Sequence, residues 1–321
     1  YEANLAMHEA DLIIAVGARF DDRITGRLAD FAPNSKKIHI DIDPSSINKN
    51  VQVDLPIIGD VGIVIDQLMR RWKEKKLHVN RRALKNWWSR ISAWQAKDCL
   101  NYSQTKDIIK PQYAIERLYE LTKDRDCYIT TEVGQHQMWA AQFYRFEKPN
   151  RWMTSGGLGT MGYGLPSAIG VQLAHPGALV VDIAGEASFL MNMQEMSTAV
   201  QFGAPIKVFV INNQYMGMVR QWQELLHGGR YAESYTDALP DLVKLAEACH
   251  WVGLRAKEPR DVDEVISEMI AVDSPVIADI WVDQTENCFP MIPSGAAHNE
   301  MLLGPDDEAE KPISEEGMVL V

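Results

Sequence analysis

A carboxylate and a carboxamide follow two apolar segments of this 321-residue chain. Glu186 lies in the turn Gly185-Glu186-Ala187-Ser188, and Asn213 lies in Asn212-Asn213-Gln214-Tyr215. Oxygens of these groups, together with phosphate oxygens, are ligands that Mg²⁺ prefers. The pattern predicts a site where a divalent cation holds a diphosphate. Its protein ligands would be Glu186, the Asn213 side chain and a main-chain carbonyl at Tyr215.

The elements around these residues read as a βαβ unit. Segments 179–184 and 206–211 are rich in β-branched residues without strict alternation, which is typical of parallel strands covered on both faces. Apolar residues recur every three or four positions between them, which predicts a crossover helix from Ser188 to Gln201. Ligands of such sheets bind at the carboxyl ends of the strands, where the two polar turns lie.

Further residues are placed to meet a phosphate. Gly185 leaves room where a strand ends, and the N–H groups of residues 187–190 begin the helix. Gln135 and His136 follow the predicted strand 127–131 in the same way. Glycines crowd residues 156–164, where they permit close approach of the backbone to a ligand. Met161 lies among them, and from the residues alone it would be an ordinary core side chain.

The sequence closely resembles the thiamine-diphosphate enzymes, and within them the large, catalytic subunits of acetohydroxyacid synthase (acetolactate synthase). The matching segments are 154–162 (TSGGLGTMG), 212–222 (NNQYMGMVRQW) and 290–295 (PMIPSG), and the match extends over essentially the whole chain. The family signature has Asp where this chain has Glu186, and Gly where it has Ala187. The extra methylene of Glu186 moves the carboxylate outward, and we keep it as a metal ligand.

The resemblance implies a set of site residues. Met161 would be the apolar wedge under the bent cofactor, while Trp222 and Arg23 would line the substrate channel. The expected contacts of thiamine diphosphate are Gln135, His136, Gly159, Thr160, Met161, Gly185, Glu186, Ala187, Ser188, Asn213, Gln214, Tyr215, Met216, Gly217 and Met218.

The first part of the chain has a weaker signal of its own. Strands followed by acidic residues are typical of dinucleotide-binding sheets, where carboxylates bind ribose or adenine groups. The resemblance implies FAD here, in a mainly structural role. The corresponding contacts are Gly17, Ala18, Arg19, Phe20, Asp21, Asp41, Ile42, Asp60 and Val61.

The activity implied by the resemblance is decarboxylation of pyruvate and transfer of the two-carbon unit to a second 2-oxo acid, pyruvate or 2-oxobutyrate. The products, 2-acetolactate and 2-aceto-2-hydroxybutyrate, are precursors of the branched-chain amino acids. The resemblance also implies a homodimer or tetramer, a regulatory small subunit, and a cytoplasmic location in a bacterium or an organelle elsewhere. The family's catalytic glutamate belongs to an N-terminal domain, so we expect the 321-residue chain alone to bind cofactor without turnover.

Two alternatives stay open at this point. Another thiamine-diphosphate enzyme of 2-oxo acids, such as a pyruvate oxidase or glyoxylate carboligase, would share the metal turn but differ at residues 216–222 and 290–295. A non-catalytic nucleotide-binding or regulatory module would keep the fold without the chemistry. Glu186 and Ala187 are the features that favour it.

Composition excludes several other classes. A formal net charge of −12 and a pI near 5.2 argue against a nucleic-acid partner. The basic, tryptophan-rich stretch 72–100 is therefore interpreted as a connector and helix. The four cysteines lack the spacing of a zinc site or disulfide framework. No apolar run approaches the roughly 20 residues of a membrane span.

These patterns predict an α/β protein with two parallel-sheet domains. Residues 1–75 would be the end of a central FAD-binding domain, and 76–110 a connector. Residues 111–303 would form a complete thiamine-diphosphate-binding domain, and 304–321 an acidic C-terminal tail.

Overall fold

The structure, a computed structural model, describes residues 1–236 and 238–305. The chain divides into two compact units. The first contains Tyr1–Asn101 and the described residues from Phe289 onward, and the second contains Tyr102–Cys288. The predicted α/β class with parallel sheets is confirmed, because each unit is built on a sheet whose strands all run parallel.

The units differ from the predicted domains at two segments. Residues 76–101 lie in the first unit, where Arg90 forms an ion pair of 2.9 Å with Glu9. Residues 289–303 also lie there, because the Arg27 N–H donates to the Ala296 carbonyl at 3.0 Å. Neither tertiary pairing has a local sequence signal. Most of the predicted acidic tail, from residue 306, lies outside the described residues.

The second unit has six strands in the order β5-β4-β6-β7-β9-β8. Its strands are β4 (Cys127–Thr131), β5 (Trp152–Met153), β6 (Leu179–Ala184), β7 (Lys207–Asn212), β8 (Val252–Ala256) and β9 (Val276–Trp281). Its helices are α5 (Pro111–Thr122), α6 (Gln135–Phe143), α7 (Gly164–Ala174), α8 (Glu186–Leu190), α9 (Glu195–Gln201), α10 (Gly217–Leu226), α11 (Leu242–Ala248) and α12 (Val262–Ala271).

The two predicted strands that flank the crossover are the centre of this sheet. Every residue of β7 is buried, and so is every residue of β6 after Leu179. Because both faces are covered, these strands are mostly apolar without alternation, apart from Asp182 in β6 and the two end residues of β7. Phe189 and Met196, from the helices between the two strands, are buried in the same core.

The crossover between β6 and β7 is not the single helix that the periodicity predicts. It contains two short helices, α8 and α9, joined by residues 191–194. The break lies where the Asn192 side chain donates to the Gly162 carbonyl at 2.6 Å. Around it the backbone forms i→i−3 hydrogen bonds, for example from Met191 N–H to the Ser188 carbonyl. The prediction of one helix over 188–201 was therefore wrong, because a tertiary contact interrupts an apolar pattern that continues through the turn.

The first unit has three strands in the order β1-β2-β3. These are β1 (Leu12–Val16), β2 (Lys36–Asp41) and β3 (Leu55–Ile58), and the helices are α1 (Glu2–Glu9), α2 (Asp22–Thr25), α3 (Val61–Glu74) and α4 (Arg81–Gln95). Helix α3 begins where the Asp60 carboxylate accepts the Ile63 N–H at 3.1 Å. Within the described residues, no helix has the length and apolar character needed to cross a membrane.

Two glycines of α7 test the packing of the second unit. A Cβ at Gly164 would lie 2.7 Å from the Glu132 nitrogen and would also meet an Asp182 carboxylate oxygen, whereas one at Gly170 would meet nothing within 4 Å. We expect Gly164→Ala to lower the free energy of unfolding by about 1–3 kcal/mol through overpacking. Gly170→Ala should raise it by about 0.5–1 kcal/mol, because Gly is costly inside a helix. Urea unfolding measures both, and equal effects of the two changes would contradict this packing.

Candidate functional site

Three neighbouring strands of the second unit end at one cavity. Strands β4, β6 and β7 are adjacent and parallel, so the turns that follow them meet at the same edge of the sheet. The cavity between these turns has a volume of about 80 Å³. It is lined by Val133, Gly134, Gln135, His136, Trp139, Met161, Gly185, Glu186, Ala187, Ser188, Ile211, Asn213, Tyr215, Met216, Gly217, Met218 and Val219.

The structure thus brings together most of the residues predicted to contact thiamine diphosphate. The three predicted metal ligands, Glu186, Asn213 and Tyr215, line the same cavity, although their β6 and β7 turns are separated by a crossover in sequence. Of the remaining predicted contacts, Gly159, Thr160 and Gln214 are not among the lining residues.

Glu186 is a buried carboxyl group, and one of its oxygens has no hydrogen-bond partner within the described part of the chain. Its residue is 1% exposed, and among the described residues nothing donates a hydrogen bond to Oε1. Burial raises the pKa of Glu186 to about 8, and the charge of Asp279 adds to this rise. The backbone N–H groups of Gln214 and Tyr215 oppose it. A buried carboxylate of this kind is stabilised by a bound cation.

The amide of Asn213 has a fixed orientation. Its Nδ2 donates to Gln135 Oε1 at 3.1 Å, and its Oδ1 accepts the Tyr215 N–H at 3.2 Å. Gln135 is itself fixed, because its Nε2 donates to Gln221 Oε1 at 2.8 Å and to the Glu286 carbonyl at 3.2 Å. Because the Tyr215 N–H uses one lone pair of Asn213 Oδ1, the second lone pair is available to bind a cation.

His136 is a neutral imidazole packed against two glycines. Burial lowers its pKa to about 3, and Nε2 has no partner among the described residues. A Cβ added at Gly134 would lie 2.8 Å from the ring, and one at Gly185 would lie 2.5 Å from Nδ1. Both positions consequently require glycine for the ring to lie beside the turn after β6.

These residues fit a magnesium diphosphate. Mg²⁺ commonly takes one or two carboxylates, and phosphate oxygens and water supply its other ligands. Glu186 and Asn213 supply a charged and a neutral oxygen, and His136 supplies a ring nitrogen that no described residue hydrogen-bonds. In the described part of the chain there is no group of three or more His, Cys, Asp or Glu suited to a metal. A cation here would thus depend on oxygens from its ligand as well as from the protein.

Two acidic residues that accept hydrogen bonds from the turns around the cavity were not predicted from the sequence. Glu132 follows β4 and accepts hydrogen bonds from Gly162 N–H at 2.6 Å and Ser188 Oγ at 2.8 Å. Asp279, on β9, accepts from Asn212 Nδ2 at 2.8 Å, which places it behind the Asn212-Asn213 turn. The available signal was an acidic residue in or directly after a buried strand, where an unpaired charge is unfavourable.

The predicted substrate-channel residues lie in different units. Trp222 is half-buried on α10, the helix that begins at the cavity residue Gly217, whereas Arg23 is exposed on α2 of the first unit. The structure describes each in its own unit, so their shared role stays a prediction.

The residues predicted to contact FAD all follow strands of the first unit. Five of them, Gly17, Ala18, Arg19, Phe20 and Asp21, come after β1, while Asp41 and Ile42 come at the end of β2 and Asp60 and Val61 come after β3. Parallel pairing brings these strand ends to one edge of the sheet. Asp41 already accepts the Asp43 N–H at 2.8 Å, and Asp60 caps α3, so both carboxylates have structural roles as well.

Comparisons with known proteins agree with this geometry. The chain is 46% identical to the acetolactate synthase isozyme 3 large subunit of Escherichia coli over 306 residues, which are 94% of this chain and 53% of that protein. It is 45% identical to the acetolactate synthase large subunit of Haemophilus influenzae, covering 96% of this chain and 53% of that protein. For the corresponding subunit of Cyanidium caldarium the identity is 43%, with coverages of 94% and 51%.

The chain spans about half the length of the curated relatives it matches. Two family models match it separately. One describes the C-terminal thiamine pyrophosphate-binding domain of thiamine pyrophosphate enzymes, and the other describes their central domain. The predicted resemblance is therefore confirmed: the chain belongs to the thiamine pyrophosphate enzyme family, with the C-terminal domain at residues 132–280 and the central domain at residues 1–68.

Proposed function

We propose that this chain is the cofactor-binding part of an acetolactate synthase large subunit. The reaction would be decarboxylation of pyruvate and carboligation to pyruvate or 2-oxobutyrate, in branched-chain amino acid biosynthesis. One observation carries the proposal: a buried carboxylate, Glu186, lies with Asn213 in a cavity at three strand ends, with an oxygen that no described protein group satisfies. The names of the relatives support the choice of reaction within the family.

The cavity residues have distinct roles in this proposal. Glu186, Asn213 Oδ1 and the Tyr215 carbonyl would hold Mg²⁺, and the cation would offset the charge of the diphosphate. The N–H groups of the turn at Gly185 would donate to phosphate oxygens, and His136 Nε2 would do so in the tautomer that carries its hydrogen on Nε2. When bound, the thiamine would supply the electron sink that decarboxylation of a 2-oxo acid requires.

Two apolar residues shape the substrate side. Met161 lines the cavity and would support the bent ring system from below. Trp222 would contact the second 2-oxo acid, and Arg23 would contact the substrate in the assembled protein. FAD would bind at the strand ends of the first unit and would stabilise structure without taking part in redox chemistry.

The wider assembly is also part of the proposal. Because the relatives are named as large subunits, a smaller regulatory partner is expected, together with a homodimer or tetramer of the catalytic chain. The location would be the cytoplasm in a bacterium or an organelle in a eukaryote.

The role of Asn213 is tested by Asn213→Ala, which removes a neutral oxygen ligand. Loss of a residue that only supports a metal ligand typically weakens metal binding about 10- to 100-fold. Because Asn213 would be a ligand itself, we expect Mg²⁺-dependent binding of thiamine diphosphate to weaken at least that much. Calorimetric titration with Mg²⁺ and with EDTA measures this. Gln201→Ala, an exposed carboxamide at the end of α9, is the control. If cofactor binding by Asn213→Ala depended on Mg²⁺ as it does in the parent, the assignment of Asn213 as a metal ligand would be contradicted.

Glu186→Gln separates two effects of the Glu186 charge: its unfavourable burial in the folded chain and its contribution to cation binding. The change keeps the side-chain shape but removes the ionisable group. We expect cation-dependent cofactor binding to be lost, while the free energy of unfolding without cation stays the same or rises, on the order of 1 kcal/mol. Glu147→Gln, at an exposed position, is the matched control. A variant that binds the magnesium complex as well as the parent would contradict the assigned role of Glu186.

The reaction is tested in a protein of the relatives' full length that contains this chain, by formation of acetolactate from pyruvate with thiamine diphosphate, Mg²⁺ and FAD. Adding 2-oxobutyrate should divert product to 2-aceto-2-hydroxybutyrate, as expected for carboligation. The same assay tests the expectation that the 321-residue chain alone has no turnover. Acetaldehyde or acetyl phosphate as the sole product of the active protein would favour another thiamine-diphosphate enzyme.

A further inference from the structure

Glu132 is a buried carboxylate that connects separate segments around the cavity. It follows β4 directly and is 0% exposed. Its Oε2 accepts from Gly162 N–H at 2.6 Å and from Ser188 Oγ at 2.8 Å, and its Oε1 accepts from Leu165 N–H at 3.0 Å. One carboxylate therefore joins the start of α7 to the turn after β6.

Gly162 is held at both of its peptide groups. Its N–H donates to Glu132, and its carbonyl accepts from Asn192 Nδ2 at 2.6 Å. Met161, the preceding residue, lines the cavity. The position of the Met161 backbone is consequently set by Glu132 on one side and Asn192 on the other.

Hydrogen bonds favour the negative charge on Glu132 over its neighbour Asp182. Burial raises the pKa of both carboxyl groups, and the charge of Glu132 raises that of Asp182 well above its usual range. Glu132 has two N–H donors and one hydroxyl donor, whereas Asp182 accepts from Thr130 Oγ1 and its Oδ2 has no partner among the described residues. The carboxylate with more hydrogen-bond donors is the better place for the charge, and Glu132 also lies close to the N-terminus of α7.

We propose that Glu132 is a positioning residue that sets the height of Met161 beneath the cofactor rings. It acts through the Gly162 N–H, and the inference rests on the proposed function of the cavity. Loss of its charge would release the Met161 segment. The diphosphate turn would keep other ties, because Ser188 Oγ also accepts the Val133 N–H at 3.3 Å.

The test compares two probes that share the diphosphate. Thiamine diphosphate engages both Met161 and the metal site, whereas inorganic pyrophosphate with Mg²⁺ engages only the metal site. For Glu132→Gln we expect affinity for thiamine diphosphate to fall about 10-fold, in the range of outer-shell changes. Affinity for magnesium pyrophosphate should be unchanged. A merely structural role would weaken both ligands together.

A double-mutant cycle with Met161→Ala identifies the route. If Glu132 acts through Met161, the double variant should bind thiamine diphosphate no more weakly than the weaker single variant. Additive losses would overturn the proposal, as would equal loss of both probes or no loss at all. Failure of the parent chain to bind either probe would instead contradict the proposed function.

A second variant covers the case in which Glu132→Gln does not fold. Asn192→Ala releases the Gly162 carbonyl from a half-buried position without neutralising a buried charge. It should show the same selective loss of thiamine diphosphate affinity. The proposal would be overturned if Asn192→Ala bound both probes as tightly as the parent, or if it lost affinity for both equally. Ser197→Ala, an exposed change on α9, is the control.

Discussion

The organisation of the cavity depends on one constraint: the Glu186 carboxyl group is buried, and no cationic side chain of residues 1–236 or 238–305 forms an ion pair with it. A carboxylate in this environment is unfavourable unless charge of opposite sign or hydrogen-bond donors face it. The backbone N–H groups of Gln214 and Tyr215 supply part of that compensation. The neighbouring amide of Asn213 is oriented by Gln135 so that an oxygen remains for a ligand. In the proposed function a divalent cation would complete the compensation, and diphosphate oxygens would supply its remaining ligands.

Close packing of the surrounding turns makes this arrangement rigid. Gly185 and Gly134 leave space for the His136 ring, and at Gly217 a Cβ would lie 2.7 Å from Asn213 Nδ2. Glu132 joins the turn after β6 to the segment that carries Met161. The ends of β4, β6 and β7 determine where the cavity lies. The contacts of Gly134, Gly185, Gly217 and Glu132 determine the distances between the side chains that line it. The cavity thus has a polar wall at Glu186 and Asn213 and an apolar wall at Met161, which suits a cofactor with a charged end and a ring system.

The sequence predicts the parts of this site that follow from strand ends. Glu186 and Asn213 each follow a mostly apolar strand, and parallel pairing alone brings them to one edge. The break in the crossover helix was not predictable, because the Asn192 to Gly162 hydrogen bond joins residues 30 positions apart. The pairing of Gly26 with Ala297 was not predictable for the same reason, because it joins residues far apart in the sequence. This pairing links residues 289–305 to the first unit. Glu132 and Asp279 were missed because a buried acid has no periodic pattern to mark its partners.

The most direct test of the account is the position of the metal. Crystals of the chain grown with Mn²⁺ and thiamine diphosphate would give an anomalous difference map at the manganese absorption edge. The account predicts a peak within coordination distance of a Glu186 carboxylate oxygen and of Asn213 Oδ1, with diphosphate oxygens as further ligands. A peak elsewhere, or a bound cofactor whose diphosphate has no metal beside Glu186, would contradict it.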